Sequence, residues 1–135
     1  MAGATEQKID AFLAAGPFAV VGASTVRSKY GNKVLRCYQQ HGKEVYPINA
    51  REPEVEGLKA YPSLAALPAK VGAISVITPP AITEQVVRDA AAAGVAHIWM
   101  QPGAENEAAI AAAEAFGISV IAGGPCLLVV LGFRD

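Results

Sequence analysis

The feature that most restricts this chain is a set of short, unbroken apolar runs separated by stretches with helical spacing. "FAVVGA" (18–23), "EVYPIN" (44–49), "AISVIT" (73–78), "AHIWM" (96–100) and "ISVIA" (118–122) are solid runs in which β-branched residues recur. A strand with one wet face alternates apolar and polar residues. A solid run belongs to a strand covered on both faces, as in a parallel sheet sandwiched by helices. Between the runs lie helical patterns. Ile9, Phe12 and Leu13 share a face in 5–15, with Thr5 as cap and Gly16-Pro17 as terminator. Val34, Leu35 and Tyr38 face inward in 31–40, and Ile82, Val86, Val87 and Ala90 do so in 82–93. "VEGLKAYPSLAAL" holds a turn and a short helix begun by Ser63, and the Ala-rich "ENEAAIAAAEAFG" starts with acids that suit a helix dipole. "CLLVVLGF" is an apolar tail. The alternation predicts an α/β fold: a single Rossmann-like, doubly wound domain over 1–135 with a five-stranded parallel sheet in the order 3-2-1-4-5.

In such a sheet, ligands bind beyond the carboxyl ends of the strands. Those ends collect Gly22, Ala23, Ser24, Thr25, Arg27 and Lys29 after the first run, and Asn49 and Arg51 after the second. Thr78, Pro79 and Pro80 follow the third; Gln101, Pro102 and Gly103 the fourth; Gly123, Gly124, Pro125 and Cys126 the fifth. Any α/β fold gathers Gly and Pro in its connections. Here, however, one edge also receives nearly all the hydroxyl, amide and basic groups.

The first connection, "VVGASTVRSKYGNKV", has the mechanics of a phosphate loop. Gly22 lets the backbone come close, Ser24 and Thr25 offer hydroxyls, and the following helix offers free N–H groups. Arg27, Lys29 and Lys33 add charge on a chain whose net charge is only -1. With so small a net charge there is no general basic field for DNA, RNA or a membrane surface, so the attraction for phosphate is local. Two departures from the dinucleotide fingerprint matter. Ser24 stands where the second glycine belongs, and the second run ends in Asn49 and Arg51 rather than in an acid for a ribose hydroxyl. An arginine there suits a phosphorylated ribose. The residues thus predict a nucleotide with a pyrophosphate and a ribose phosphate; NADP and coenzyme A both fit.

"VVGAS....KYGNKVLR", "EVYPIN.R", "EGLKAYPSLAALP", "PP", "IWMQPGAENE" and "AGGPC" occur in an order that resembles the small single-domain CoA-binding proteins, which are similar to the CoA-binding domain of the succinyl-CoA synthetase alpha subunit. The resemblance runs from about Ile9 to Cys126. It implies a Rossmann-like domain that binds coenzyme A. The turn Gly22–Thr25, with Arg27 and Lys29, would meet the phosphates, and Asn49 and Arg51 the 3′-phosphate end. Thr78–Pro80 would line the nucleotide, and Gln101–Gly103 the far side of the cleft. The chain departs from the family pattern at Ala50, where "NPR" is usual, and at "GGP" before Cys126, where many relatives carry an acid and a base.

Few residues suit catalysis. His41 lies at a helix end and His97 opens a strand, so neither is assigned as a phosphohistidine. Cys126 is the one plausible nucleophile, read here as structural for want of a base beside it. Cys37 packs in a helix, and Trp99 and Met100 in the core. Neither a metal cluster nor paired site carboxylates occur. The expectation is therefore a non-catalytic CoA (or acyl-CoA) carrier, sensor or regulatory module. The alternatives are an NADP-binding oxidoreductase-type or redox-sensing Rossmann module, or a CoA-ligase half that needs a partner chain. Glu6, Lys8 and Asp10 interrupt the N-terminus before any apolar run, which reads against a signal peptide. The stretch from Gly117 to Phe133 is too short for a membrane span. Two cysteines without metal spacing read as reduced thiols, and the chain as cytoplasmic, with a small-molecule nucleotide as its partner. Protein partner and oligomeric state leave no mark in the sequence.

Overall fold

Phe18–Val21 (β1) is buried at every position, as is Ala73–Val76 (β5). Their apolar runs leave no face for water. The structure, a computed structural model, describes residues 4–135. The remaining elements are α1 (Ala4–Leu13), α2 (Tyr30–Gln40), β2 (Val45–Ile48), β3 (Glu54–Val55), β4 (Leu58–Lys59), a 3-10 turn (Leu64–Ala66), α3 (Pro80–Ala92), β6 (His97–Met100), α4 (Glu107–Ala115), β7 (Ser119–Ile121) and α5 (Leu127–Leu131).

The fold class is as expected: a five-stranded, all-parallel sheet with helices on both faces. Alternate side chains of each strand feed opposite layers. Ala19 and Val21 of β1, with Ile74 and Val76 of β5, pack against Val86 and Val87 of α3 and Ala109 and Ala113 of α4. Phe18 and Val20 join Phe12 of α1, Leu35 and Tyr38 of α2 and Leu127 of α5 on the other face. Trp99 belongs to this second layer, fully buried and edge-on to Phe12 at 5.3 Å.

The strand order differs from the one expected. It is β2-β1-β5-β6-β7, so the five apolar runs lie in the order 2-1-3-4-5 rather than 3-2-1-4-5. The second run is therefore an edge, and the third crosses to the free side of the first. Pro47 in β2 gives the physical reason. Proline has no N–H for a second ladder, so a strand that contains it is suited to an edge. The outer side of β2 is covered only locally, where Tyr61 N–H donates to the Pro47 carbonyl at 3.0 Å and Asn49 N–H to the Tyr61 carbonyl at 2.9 Å. The order puts the topological switch between β1 and β5.

The turn expected in "VEGLKAY" closes the β3–β4 hairpin, with Glu56 and Gly57 both at positive φ, 49° and 80°. A tight hairpin turn of this kind matches strand twist. The apolar tail is α5, a single short helix on the α2 face.

Candidate functional site

The loop after β1 is shaped by two glycines that touch. Gly22 has φ 99°, and a Cβ there would lie 2.4 Å from the Ile77 carbonyl oxygen. A Cβ on Gly31 would lie 2.0 Å from the Gly22 carbonyl oxygen. The bare backbones let α2 start directly against the turn. Lys29, at the N-cap, makes no side-chain capping bond. Asn32 N–H donates to the Lys29 carbonyl at 3.2 Å, which leaves the Tyr30 and Gly31 N–H groups for an anion.

Two adjoining recesses open at the switch point. One, of about 610 Å³, lies between Val21–Ala23, Ile48–Arg51, Pro62–Leu64, Thr78, Pro79 and Ile82, Val86 and Asp89 of α3. The other, of about 450 Å³, is lined by Gly22–Ser24, Lys29–Gly31, Asn49 and Ile77. They share Gly22, Ala23 and Asn49, so they form one cleft across the ends of β1, β2 and β5. A larger depression of about 680 Å³, between Ser63–Val71 and the end of α3, is lined mainly by Ala, Leu and Pro, and offers only Lys70 as a cation. Its chemistry does not suit a polyphosphate.

Several predicted residues meet in the cleft: Gly22, Ala23, Ser24, Lys29, Asn49, Arg51, Thr78 and Pro79. They do different work. Ser24 Oγ accepts from Val26 N–H at 3.1 Å, leaving its own hydrogen free to donate. Asn49 is occupied in holding the walls together. Its amide nitrogen donates to the Ala23 carbonyl at 2.9 Å, and its oxygen accepts from Arg51 N–H at 2.8 Å and Glu52 N–H at 3.0 Å. This Asx turn presents Arg51 at the rim, where it is exposed. The Thr78 hydroxyl is bonded to Thr83 at 2.7 Å, and Pro79 caps α3 while Pro80 begins it.

Other predicted residues lie apart. Thr25 is exposed beside the cleft. Arg27 turns away to an ion pair with Glu56 at 2.6 Å, in a separate recess with Arg36 and Asp135. Lys33 faces Asp135 at 3.5 Å. Pro102 and Gly103 form an exposed turn past β6, where Gly103 N–H donates to Glu105 Oε1 at 3.2 Å. Gln101 is fully buried beneath that turn.

The sequence reading missed three contributors. Ile82 was expected to be buried with Val86, yet it is 53% exposed and lines the cleft. The first turn of α3 overhangs the end of the sheet, so its inward face meets the cleft rather than the core. Glu56 bridges the loop: its carboxylate accepts from Arg27 and, at 3.0 Å, from the Asn32 amide, which also donates to the Ser24 carbonyl at 2.8 Å. The Asn32 hydrogen bond, aided by the Arg27 charge, holds the Glu56 carboxyl below its ordinary range. Tyr30 lines the loop recess, and its hydroxyl bonds both Gln101 Oε1, at 3.2 Å, and Cys126 Sγ. Burial, then the bond to Cys126, pushes Tyr30 above the usual phenol range. Burial pushes the Cys37 thiol up to about 11.

Among the described residues there is no cluster of three or more His, Cys, Asp or Glu placed to hold a metal ion. No described helix is long and apolar enough to cross a membrane.

Residues 17–132 match the family described as CoA binding domain. The chain belongs to that family. Among curated relatives of this CoA-binding domain is the acetate–CoA ligase (ADP-forming) II subunit alpha of Pyrococcus furiosus. It is 34% identical over 88 residues, which cover 64% of this chain and 19% of that subunit. The chain thus spans a fifth or less of the length of the first curated relatives it matches. Solved structures of its own size are also similar. A conserved hypothetical protein from Pyrococcus furiosus is 40% identical with a TM-score of 0.79, covering 84% of this chain and 97% of that one. A hypothetical protein from Pyrococcus horikoshii is 28% identical with a TM-score of 0.88, covering 94% and 89%.

Proposed function

We infer that the chain binds coenzyme A, or an acyl-CoA, in the cleft at the switch point and catalyses nothing alone, acting as a carrier, sensor or regulatory module. The observation that carries this reading is the pairing of a bare-backbone anion loop at Gly22 and Gly31 with Arg51 where a ribose-binding acid would otherwise sit. In this reading the Ser24 hydroxyl, the Tyr30 and Gly31 N–H groups at the start of α2 and the Lys29 ammonium take the pyrophosphate. Arg51 takes the ribose phosphate, and Ile82, Pro79 and Ala50 give the adenine apolar walls. Thr78 and Pro80 shape the rim. Gln101, Pro102 and Gly103 lie towards the pantetheine end. Family membership and the CoA-ligase relatives favour coenzyme A over NADP.

Titration calorimetry of the full chain with CoA and with NADP tests the reading. Saturable CoA binding that weakens with salt is expected. Binding of NADP with no response to CoA would overturn it.

A second reading, a CoA-ligase half awaiting a partner chain, is favoured by one observation: the matched relative is a subunit of a far longer ligase. It predicts turnover of acetate, CoA and ATP only when a second chain is supplied.

A further inference from the structure

Next to the nucleotide cleft, the ends of β6 and β7 hold a polar cluster for which phosphate binding has no use. Cys126, in the loop after β7, sets its Sγ against the Tyr30 hydroxyl at the start of α2. Tyr30 also bonds Gln101 Oε1, and that oxygen accepts a second bond from Leu127 N–H at 2.9 Å. A backbone N–H can only donate, so this bond identifies which end of the Gln101 amide is oxygen. The other end, Nε2, is buried and has no partner among the described residues. Gln101 is itself 0% exposed. A buried amide donor with nothing to bind is rare unless a ligand or water supplies the acceptor. Tyr30 belongs at once to this cluster and to the lining of the loop recess beside Gly22 and Ser24, which makes the two sites contiguous.

We propose that the cluster is the sulfur end of the ligand cleft, where the Cys126 thiol exchanges with a disulfide formed by the pantetheine sulfur while Gln101 Nε2 donates to a carbonyl of the pantetheine arm. The inference rests on the CoA reading. It adds a covalent step that plain CoA binding does not require. The arm carries amide carbonyls, which suit an orphaned N–H donor, and it ends in a thiol, which suits Cys126. The reactant is CoA disulfide. The Cys126 thiolate attacks one sulfur, the S–S bond breaks, a Cys126–S–S–CoA bond forms, and the second CoA leaves as a thiolate that takes a proton from water. The proton lost by Cys126 goes to solvent. Tyr30, kept protonated by burial, can turn its O–H from Gln101 to the forming thiolate. Cys37, fully buried on α2, takes no part.

Intact-mass spectrometry and peptide mapping of the full chain test this, with CoA disulfide and glutathione disulfide compared at equal concentration. One CoA adduct is expected, on Cys126, reversed by reductant and formed at least about tenfold faster than the glutathione adduct, because binding holds the sulfurs together. Cys126→Ser should abolish it, and Gln101→Leu should narrow the ratio between the two disulfides. Equal rates, an adduct on Cys37, or an undiminished adduct in Cys126→Ser would overturn the subsite. Calorimetry of the unmodified chain separates the two readings. CoA binding without a selective adduct rejects the exchange site alone, whereas no CoA binding rejects the cleft reading and the exchange site with it.

Discussion

Gly31 has no room for a methyl group, because the Gly22 carbonyl stands where the Cβ would go. Backbone cannot swing aside as a flexible side chain does, so relief requires α2 to back away from the turn. Gly31→Ala is expected to destabilise the protein by on the order of 2–4 kcal/mol and to weaken CoA binding. Urea denaturation with a parallel titration checks this; an unchanged midpoint would contradict it. The loop's cations are unequal. Lys29 is exposed in the cleft lining, whereas the Lys33 ammonium faces Asp135. Lys29→Ala should cost about 1 kcal/mol of binding, roughly fivefold in Kd, and flatten its salt dependence. Lys33→Ala should do less of both. Calorimetry at two ionic strengths reads the difference, and equal losses would place both lysines on the ligand.

The hairpin β3–β4 acts on the loop as an element, through its turn. Glu56 sits at positive φ, uncommon for a residue with a side chain, and its carboxylate occupies Arg27 and Asn32. A carboxylate there competes with any phosphate for the same donors. Glu56→Gln should therefore raise CoA affinity by releasing Arg27. It should also lower stability near neutral pH by about 1 kcal/mol or less, since the Arg27 side chain is mostly exposed. The sign follows from the depressed carboxyl. Its contribution is complete above the ordinary glutamate range and is lost as pH falls through the lower folded value. Wild type and variant should differ near neutral pH and converge in acid, once the pH is below the lowered Glu56 range. Denaturation curves at both pH values test this; a gap that persists in acid would assign the effect to something other than ionisation. In the same core layer as Val55 of the hairpin, the Trp99 indole N–H donates to the Pro125 carbonyl at 3.0 Å. That bond ties the β6 core to the loop carrying Cys126.

At the scale of the molecule, the cleft exists because β2 and β5 leave β1 on opposite sides. Neighbouring connections therefore part at one point, and the loops after β1, β2 and β5 surround the gap. A ligand bridging these loops binds only the folded chain. CoA at about 100 times its Kd should thus add about 2.7 kcal/mol of stability, read as a rise in melting temperature of several degrees. NADP should add far less. A rise with NADP and none with CoA would reverse the ligand assignment.

The five strands of the main sheet and the helices α1 to α4 follow from the sequence alone, whereas β3 and β4 were legible only as a turn and α5 only as an apolar tail. Solid apolar runs such as "AISV" and glycine-bounded helical patterns need only local spacing to be read. The local charge of the first loop and the arginine after β2 were equally legible, since both are counts of residues over a short span. Strand order was not read correctly, although Pro47 carried the signal, because each apolar run satisfies a buried strand equally well until the neighbours are known. The tertiary structure alone decided how the charges were spent. Arg27 meets Glu56 across 29 residues, and Lys33 meets Asp135 at the far end of the described chain. It also brought Tyr30 at the start of α2, Gln101 after β6 and Cys126 in the loop after β7 into one cluster. The reason is physical: periodicity is a property of neighbours in sequence, whereas ion pairing and an unmet amide donor depend on which distant residues the fold puts within reach.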